Sequence, residues 1–450
     1  MSLQTAIDTY HDLLASGLAE DSQRHMDTQL RDRGLYFGDR PLCSVLRPRF
    51  MTRAQYRFLE ERVKLLLTAF DKSYQAAIVD DGFRAQFRLL DWEEELIKDD
   101  PGFREASPVS RLDAFFVGDR GGLRFTEYNA ETPAGAAYGD LLTEVFLGLP
   151  VMREFLRTHS VQSLPARHNV LHALISSYIQ FSGRRELPRI AILDWKEVPT
   201  YSEFLVSVDY FRSRGIDCVI VDPREVEYTG GKLIAEGKPV DLIYKRVLIS
   251  ELVERGGMEH PVVRAVRDRA VCMVNPFRCK ILHKKASLAV LTDERNAHLF
   301  EERELDAIRM HIPWTRVVEE RRTQHNGEEI DLMEYTSQNR DHLVLKPNDE
   351  YGGTGILLGW EVSDDEWQEG LKTALSEPYI VQERISIPSE PYPSMEDGKL
   401  QIADRILDTA PFVFYGEYMD GCMTRLSTAS LVNVTAGGGS SLATFLVDQR

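Results

Sequence analysis

Five short stretches gather the residues that could do chemistry. In the run RLDAFFVGDRGGLRFTEYN, Arg111 and Asp113 lie on one apolar segment and Glu127 and Asn129 on the next, joined by a glycine-containing turn. A period of two puts Arg111 with Asp113, and Glu127 with Asn129, on one face of a hairpin. Two carboxylates and an amide oxygen are hard ligands suited to Mg²⁺, an ion that bridges nucleotide phosphates, and the Arg111 guanidinium would neutralise developing phosphate charge. In LVLKPNDEYGGTGI, Lys346 ends an apolar strand and Gly352, Gly353 and Gly355 follow. Backbone without side chains approaches an anion closely, and the lysine adds a point charge. Lys284 and Lys285 open a helical stretch, and either could supply a second phosphate contact. Gln382 and Glu383 end the strand YIVQERI, where an amide and a carboxylate could meet an adenine amino group or ribose hydroxyls. Near the C-terminus Arg425, Asn433 and the run Gly437 to Gly439 combine a guanidinium with open amides, which suits an acyl phosphate or a carboxylate.

The elements that must position these residues follow from hydrophobic periodicity. Residues 1–105 read mostly as helix, with apolar positions three and four apart in QYRFLEERVKLLLTA. Residues 106–160 carry the hairpin and a small-residue loop after it. Residues 186–275 read as strand, helix, strand, then a Gly-Gly turn at Gly230 and Gly231 and the further strand VDLIYKR, a small open α/β domain. It lacks the G-x-G-x-x-G turn, which disfavours a dinucleotide site. Residues 276–450 hold the lysine pair, the strands HLVLKP and YIVQERI, and the hairpin FVFYGEYMDGCMTRLS.

Composition bounds the function. Of 450 residues, 43% are hydrophobic and 28% charged, enough for a large core, and the net charge of -17 repels nucleic acid and anionic membrane surfaces. Five cysteines without a C-x-x-C pair fit neither a disulfide framework nor a zinc cage, and no histidine spacing suggests a metal site. The N-terminus lacks a signal-like pattern and no long apolar run occurs, so a cytoplasmic location is expected.

Together these stretches resemble the ATP-grasp superfamily. HKKASLAVL and IPWTR are similar to its first nucleotide lysine, helix and proline-threonine strand. LVLKPNDEYGGTGI is similar to its second lysine and phosphate loop, VQERI to its adenine-side strand, and Arg111, Asp113, Glu127 and Asn129 to its magnesium hairpin. Here the hairpin precedes the lysines, the order of the circularly permuted group that includes proteins similar to glutathionylspermidine synthetases. The resemblance implies an α+β fold with an α/β part: a circularly permuted ATP-grasp fold, a pre-ATP-grasp open α/β domain and N-terminal helices. It implies ATP and Mg²⁺ as cofactors. Lys284 or Lys285, Lys346, Gly352, Gly353, Gly355, Gln382 and Glu383 would hold nucleotide, and Asp113, Glu127 and Asn129 metal. Arg425 and Arg111 would stabilise the reacting groups. The implied activity is joining of a small-molecule or peptide carboxylate to an amine through an acyl phosphate. An ATP-dependent phosphotransferase and a non-catalytic nucleotide-binding protein are the alternatives.

Overall fold

A computed structural model describes residues 2–116, 122–350, 352–428 and 439–449. The chain opens with helices α1 (Leu3–Leu13), α2 (Ala19–Asp32) and the long α3 (Arg53–Val79). A capping box starts α3: Thr52 accepts the Gln55 amide, and the Gln55 side chain accepts the Thr52 N–H at 2.8 Å. Its stripe of Leu59, Val63, Leu66, Phe70 and Tyr74 is buried, and the core face of a hairpin lies against it. That hairpin is β1 (Val109–Phe116) and β2 (Leu123–Asn129), with Phe70 and Tyr128 in ring contact at 4.7 Å. Burial of each such side chain contributes about 1.5–3 kcal/mol, so α3 is a firm floor for the hairpin.

The hairpin carries a bulge that sets the direction of its charged residues. Asp113 pairs with Glu127, but Ala114 pairs with Phe125, which leaves Thr126 without a partner. Leu123 and Phe125 point into the core shared with α3, and beyond the bulge it is Tyr128 that does so. The extra residue therefore turns Glu127 and Asn129 to the opposite face, beside Arg111 and Asp113. Helices α4 (Ala136–Gly148) and α5 (Arg167–Ser182) follow.

The expected open α/β unit is a parallel sheet of β3 (Ile190–Leu193), β4 (Cys218–Val221), β5 (Leu242–Lys245) and β6 (Cys272–Val274), in the order β6-β5-β3-β4. Its strands are short, nearly continuous apolar runs covered on both faces. Next come α6 (Cys279–His283) and α7 (Ala286–Thr292). The lysine pair does not open one helix, as the sequence suggests. Lys284 caps α6 with an extended ψ of 131°, and the break sends the two ammonium groups to different neighbours.

An antiparallel sheet of β7 (Thr315–Val317), β8 (Leu343–Pro347), β9 (Leu357–Leu358) and β10 (Tyr379–Glu383) runs in the order β7-β10-β8-β9. Trp367 and Leu371 of the helix Asp364–Ser376 back it. The chain ends with β11 (Ser389–Glu396), β12 (Lys399–Leu407), β13 (Ala410–Phe414), β14 (Tyr418–Ser427) and β15 (Ser440–Gln449). These strands receive the early hairpin: β13 pairs antiparallel with β1, Phe412 opposite Arg111, giving the order β11-β12-β14-β13-β1-β2. β15 pairs with β14 and continues onto Arg49–Met51 and His159–Ser163, which ties the N-terminal region to the same sheet. All five cysteines are buried free thiols, and no helix among the described residues is long and apolar enough to cross a membrane.

Candidate functional site

Asp113 is the hub of the hairpin's charged face. Arg111 donates from Nε to Oδ1 at 2.7 Å and from Nη2 to Oδ2 at 3.0 Å. Arg425 of β14 donates to Oδ2 at 2.7 Å, and Asn129 Nδ2 does so at 2.9 Å. Burial pushes the Asp113 carboxyl up, but the two guanidiniums outweigh it and hold the group at about 2. Arg425 is gripped in turn by Asp408, which accepts its backbone N–H and its Nε at 2.6 Å each. Residues from β1, β2 and β14 thus form one ionic knot where the early hairpin meets the C-terminal strands. Asn433, Gly437 and Gly438, expected beside Arg425, lie outside the described residues.

Of the lysine pair, only Lys285 reaches this knot. Its Nζ lies 3.0 Å from Glu127 and donates to the Glu350 carbonyl at 2.6 Å, at the foot of the glycine loop. Lys346 ends β8 and donates to Gln382 on the neighbouring β10 at 2.7 Å. Burial lowers its ammonium from 10.5 to about 8, with Lys285 adding to the effect and Glu127 opposing it. Burial raises the Glu127 carboxyl, but Lys285 and Lys346 hold it below its ordinary range. Gln382 is buried and also donates to Thr315 at 3.0 Å, so it fixes Lys346, whereas the more exposed Glu383 faces the opening. Gly352 and Gly353 line that opening with φ of 67° and 82°. Gly355 turns the loop back at φ 70°, where a Cβ would stand 2.7 Å from Pro347 Cγ.

Lys284 belongs to a second, closed cluster. It lies 2.7 Å from Glu93 and 2.9 Å from Asp349, while Lys280 contacts Asp349 at 2.6 Å and Glu131 at 3.1 Å, and Lys245 contacts Glu131 at 3.2 Å. Glu131, His283 and Asp349 bring potential ligand atoms within 4.8 Å of one another. Three ammonium groups already answer the three carboxylates there, so the cluster has no charge deficit for a cation to fill. Its effect is mechanical: it pins Asp349, the residue before Glu350, to α6 and to the end of the hairpin. Apart from Lys284, neither Asp408 nor the members of this cluster are legible in the sequence, because they come from segments far apart in the chain.

Two cavities meet at the knot. The smaller, about 990 Å³ with its open mouth included, is lined by Lys346, Gly352, Gly353, Gln382 and Glu383, with apolar walls from Ile356 and Trp360. The larger, about 1540 Å³ on the same measure, extends past Arg111 and Asn129 to the parallel sheet. Asp113, Glu127, Gly352 and Arg425 line both. This arrangement can present an anion to a second molecule at a point ringed by guanidinium and ammonium groups. The oxygen donors suit a divalent cation in type. Glu127 is ionised and has one ion-pair partner among the described residues, Lys285; Asn129 spends its Nδ2 on Asp113, and its Oδ1 is an oxygen of the type that a metal takes. Asp113 Oδ2 already accepts three donors, so a metal there would take the place of a guanidinium contact.

No family model matches the chain. Two curated relatives from Frankia are similar to it: "Putative glutamate--cysteine ligase 2-2" of Frankia casuarinae, 24% identical over 95% of this chain and 50% of that protein, and "Putative glutamate--cysteine ligase 2-3" of Frankia alni, 24% identical over 92% of this chain and 49% of that protein. The chain spans about half the length of these relatives. Among solved structures, a glutathione synthetase-like effector from Globodera pallida superposes with a TM-score of 0.60 at 14% identity, covering 95% of this chain and 96% of the effector. The mixed α/β architecture is therefore shared, over nearly its whole length, with that effector.

Proposed function

We propose that this chain is an ATP-dependent carboxylate–amine ligase, built as a circularly permuted ATP-grasp fold, that forms an amide through an acyl phosphate. The observation that carries this reading is the junction of the two cavities at Asp113, Glu127, Gly352 and Arg425. A nucleotide site on one side and a substrate site on the other need to share the place where phosphate is transferred. The ligase names of the Frankia relatives agree with this reading.

Lys285 and Lys346 would hold ATP phosphates, Gly352, Gly353 and Gly355 would cover them, and Gln382 with Glu383 would face the adenosine. Glu127, Asn129 and Asp113 would hold Mg²⁺. Bound Mg-ATP supplies the phosphoryl group that activates the substrate carboxylate. The chain's own contribution is placement and charge: Arg111 and Arg425 stand ready to offset negative charge on the activated carboxylate, held in position by Asp113 and Asp408. Ile356 and Trp360, on the apolar walls of the smaller cavity, would meet the base. No protein nucleophile is needed, because the amine itself attacks the activated carbonyl and phosphate leaves.

The test is ADP release by the purified chain with Mg-ATP against pools of amino acids, small peptides and polyamines, followed by mass analysis. ADP together with a product lighter by one water than its substrates supports ligation. A stable phosphorylated product would replace ligation with phosphotransfer, and ATP binding without turnover in any pool would leave a nucleotide-binding role.

A further inference from the structure

The larger cavity ends on the parallel sheet at the point where its strand order reverses. From β3 the chain moves to β4 on one side and later returns to β5 on the other, so β3 and β5 are neighbours whose connections leave in opposite directions. In open parallel sheets, ligands bind outside the carboxyl ends of the strands at such a reversal. The residues directly beyond those two strand ends are Asp194, after Leu193, and Arg246, after Lys245, and both line the cavity.

These two side chains carry opposite charge, are only 6% and 7% exposed, and are not joined to each other by an ion pair among the described residues. Among the described residues Asp194 accepts only the Trp195 N–H, at 2.8 Å. Arg246 donates from Nη1 to the Pro133 carbonyl and to Tyr244 Oη, while its Nη2 makes one long ion pair, at 3.9 Å, with Glu203. Glu251 adds a second carboxylate to the same wall, with one oxygen accepting Trp195 Nε1 at 2.8 Å. Burial lifts the Asp194 carboxyl to about 6, although the Trp195 N–H, Arg246 and Lys245 all pull it down, and Glu251 adds to the rise. A buried carboxylate without an ion pair and a buried guanidinium with only a long one, both facing the end of a cavity, are costly unless something is placed between them.

We propose that this strand reversal holds the α-amino-acid head group of a substrate, its ammonium on Asp194 and Glu251 and its carboxylate on Arg246, with the reacting end toward Arg111 and Arg425. This rests on the ligase reading for the direction of the reacting end, but not for the head-group site itself. A zwitterion supplies both charges in the order that the wall requires, whereas a polyamine or a simple carboxylate supplies one. Tyr138, Val198 and Leu248 line the same cavity and would meet the methylenes between head and reacting group. The head group could belong to a substrate with a side-chain carboxylate or to one with a side-chain amine, and the experiment separates the two.

The experiment is calorimetric titration of the full chain with glutamate and with lysine, each also as its N-acetyl and α-amide derivative, with and without a non-hydrolysable ATP analogue. One parent is expected to bind about tenfold or more tightly than both of its blocked forms, since each blocked form loses a charge-assisted contact. Asp194→Asn is expected to erase the preference over the N-acetyl form and keep the preference over the α-amide. Arg246→Lys, chosen because Arg246 also supports the Pro133 carbonyl, is expected to weaken the second preference and keep the first. Blocked forms that bind as well as the parents, an Asp194→Asn protein that still discriminates the N-acetyl form, or no binding by either parent would each overturn the assignment. Head-group binding without ADP release in any pool would keep this site and remove the ligase reading. ADP release driven only by compounds lacking the head group would do the reverse.

Discussion

Replacing Lys346 by methionine is expected to make the ligand-free protein harder to unfold and, at the same time, deaf to ATP. The Lys346 ammonium titrates at about 8 rather than 10.5, chiefly because it is buried. At about 1.4 kcal/mol per pKa step, that distance means the site disfavours the ammonium by about 3 kcal/mol at neutral pH. Methionine removes the charge at similar length but gives up the 2.7 Å hydrogen bond to Gln382, which costs about 1 kcal/mol. A net gain of about 2 kcal/mol should raise the thermal midpoint by a few degrees. In the wild-type protein ATP should raise the midpoint further, because a ligand that binds only the folded state stabilises it by mass action, and that rise should vanish in the variant. The same reasoning fixes a pH dependence. With its folded pKa depressed, Lys346 contributes stability only above its unfolded value, and loses that contribution as pH falls through about 8. Between those limits the free protein carries the neutral amine, so ATP affinity should decline by up to about tenfold per pH step above 8, and Lys346→Met should flatten the profile. Differential scanning fluorimetry with and without Mg-ATP at pH 7 and pH 9.5 reads both effects. A variant that melts earlier and still responds to ATP would show that Lys346 is a structural lysine whose charge the site has no use for.

Three further perturbations are expected to give distinct results. Glu127→Gln should leave the melting profile within a few degrees of wild type yet lower Mg²⁺-dependent turnover by tenfold or more, about 1.4 kcal/mol of barrier, and unchanged turnover would remove Glu127 from the metal set. Asp349→Asn should destabilise the chain by about 3 kcal/mol, because it leaves the buried Lys280 and Lys284 ammonium groups short of a carboxylate; an unshifted chemical-denaturation midpoint would sink that account. On acidification, stability should fall steeply between about pH 4.5 and pH 2: Glu131 and Asp113 are both held at about 2, so each stabilises the fold above its unfolded pKa and loses that contribution as pH drops through the folded one. Circular dichroism across that range would read it, and a flat profile would argue against the ion pairs of both clusters.

What the sequence made legible was whatever hydrophobic period alone could determine. The stripe of α3, the short apolar runs of β3 to β6 and the two strands of the early hairpin all declare themselves by spacing. The direction of the charged residues on that hairpin did not. Plain alternation through LRFTEYN would put Glu127 on the face of Leu123 and Phe125, in the core, and only the bulge at Thr126 turns it toward Asp113. Lys284 and Lys285 are indistinguishable as letters, yet the break between α6 and α7 commits one to the glycine-loop side and buries the other among Glu93 and Asp349. Asp194 and Arg246 follow ordinary apolar strands in LDW and YKR, and their placement on one cavity wall depends on strand order, which no local pattern encodes.

The chain's net charge of -17 and the proposed anion-binding site are reconciled by how the local charges are paired. Around the knot stand Arg111, Arg425, Lys285 and Lys346, against Asp113, Glu127 and Asp408. Each carboxylate is committed to a named cation, and Lys346, held by an amide, is the cation without a carboxylate within ion-pair distance among the described residues. Long-range repulsion from the acidic surface is screened within about 8–10 Å in physiological salt, whereas the groups lining a cavity act at contact distance. A polyphosphate entering the smaller cavity would therefore meet an excess of positive charge at Lys346 and an exchangeable partner in Lys285. On the proposed reading, moving Lys285 from Glu127 to a phosphate would free the Glu127 carboxylate for a metal, so nucleotide and metal binding would be coupled through one ammonium group.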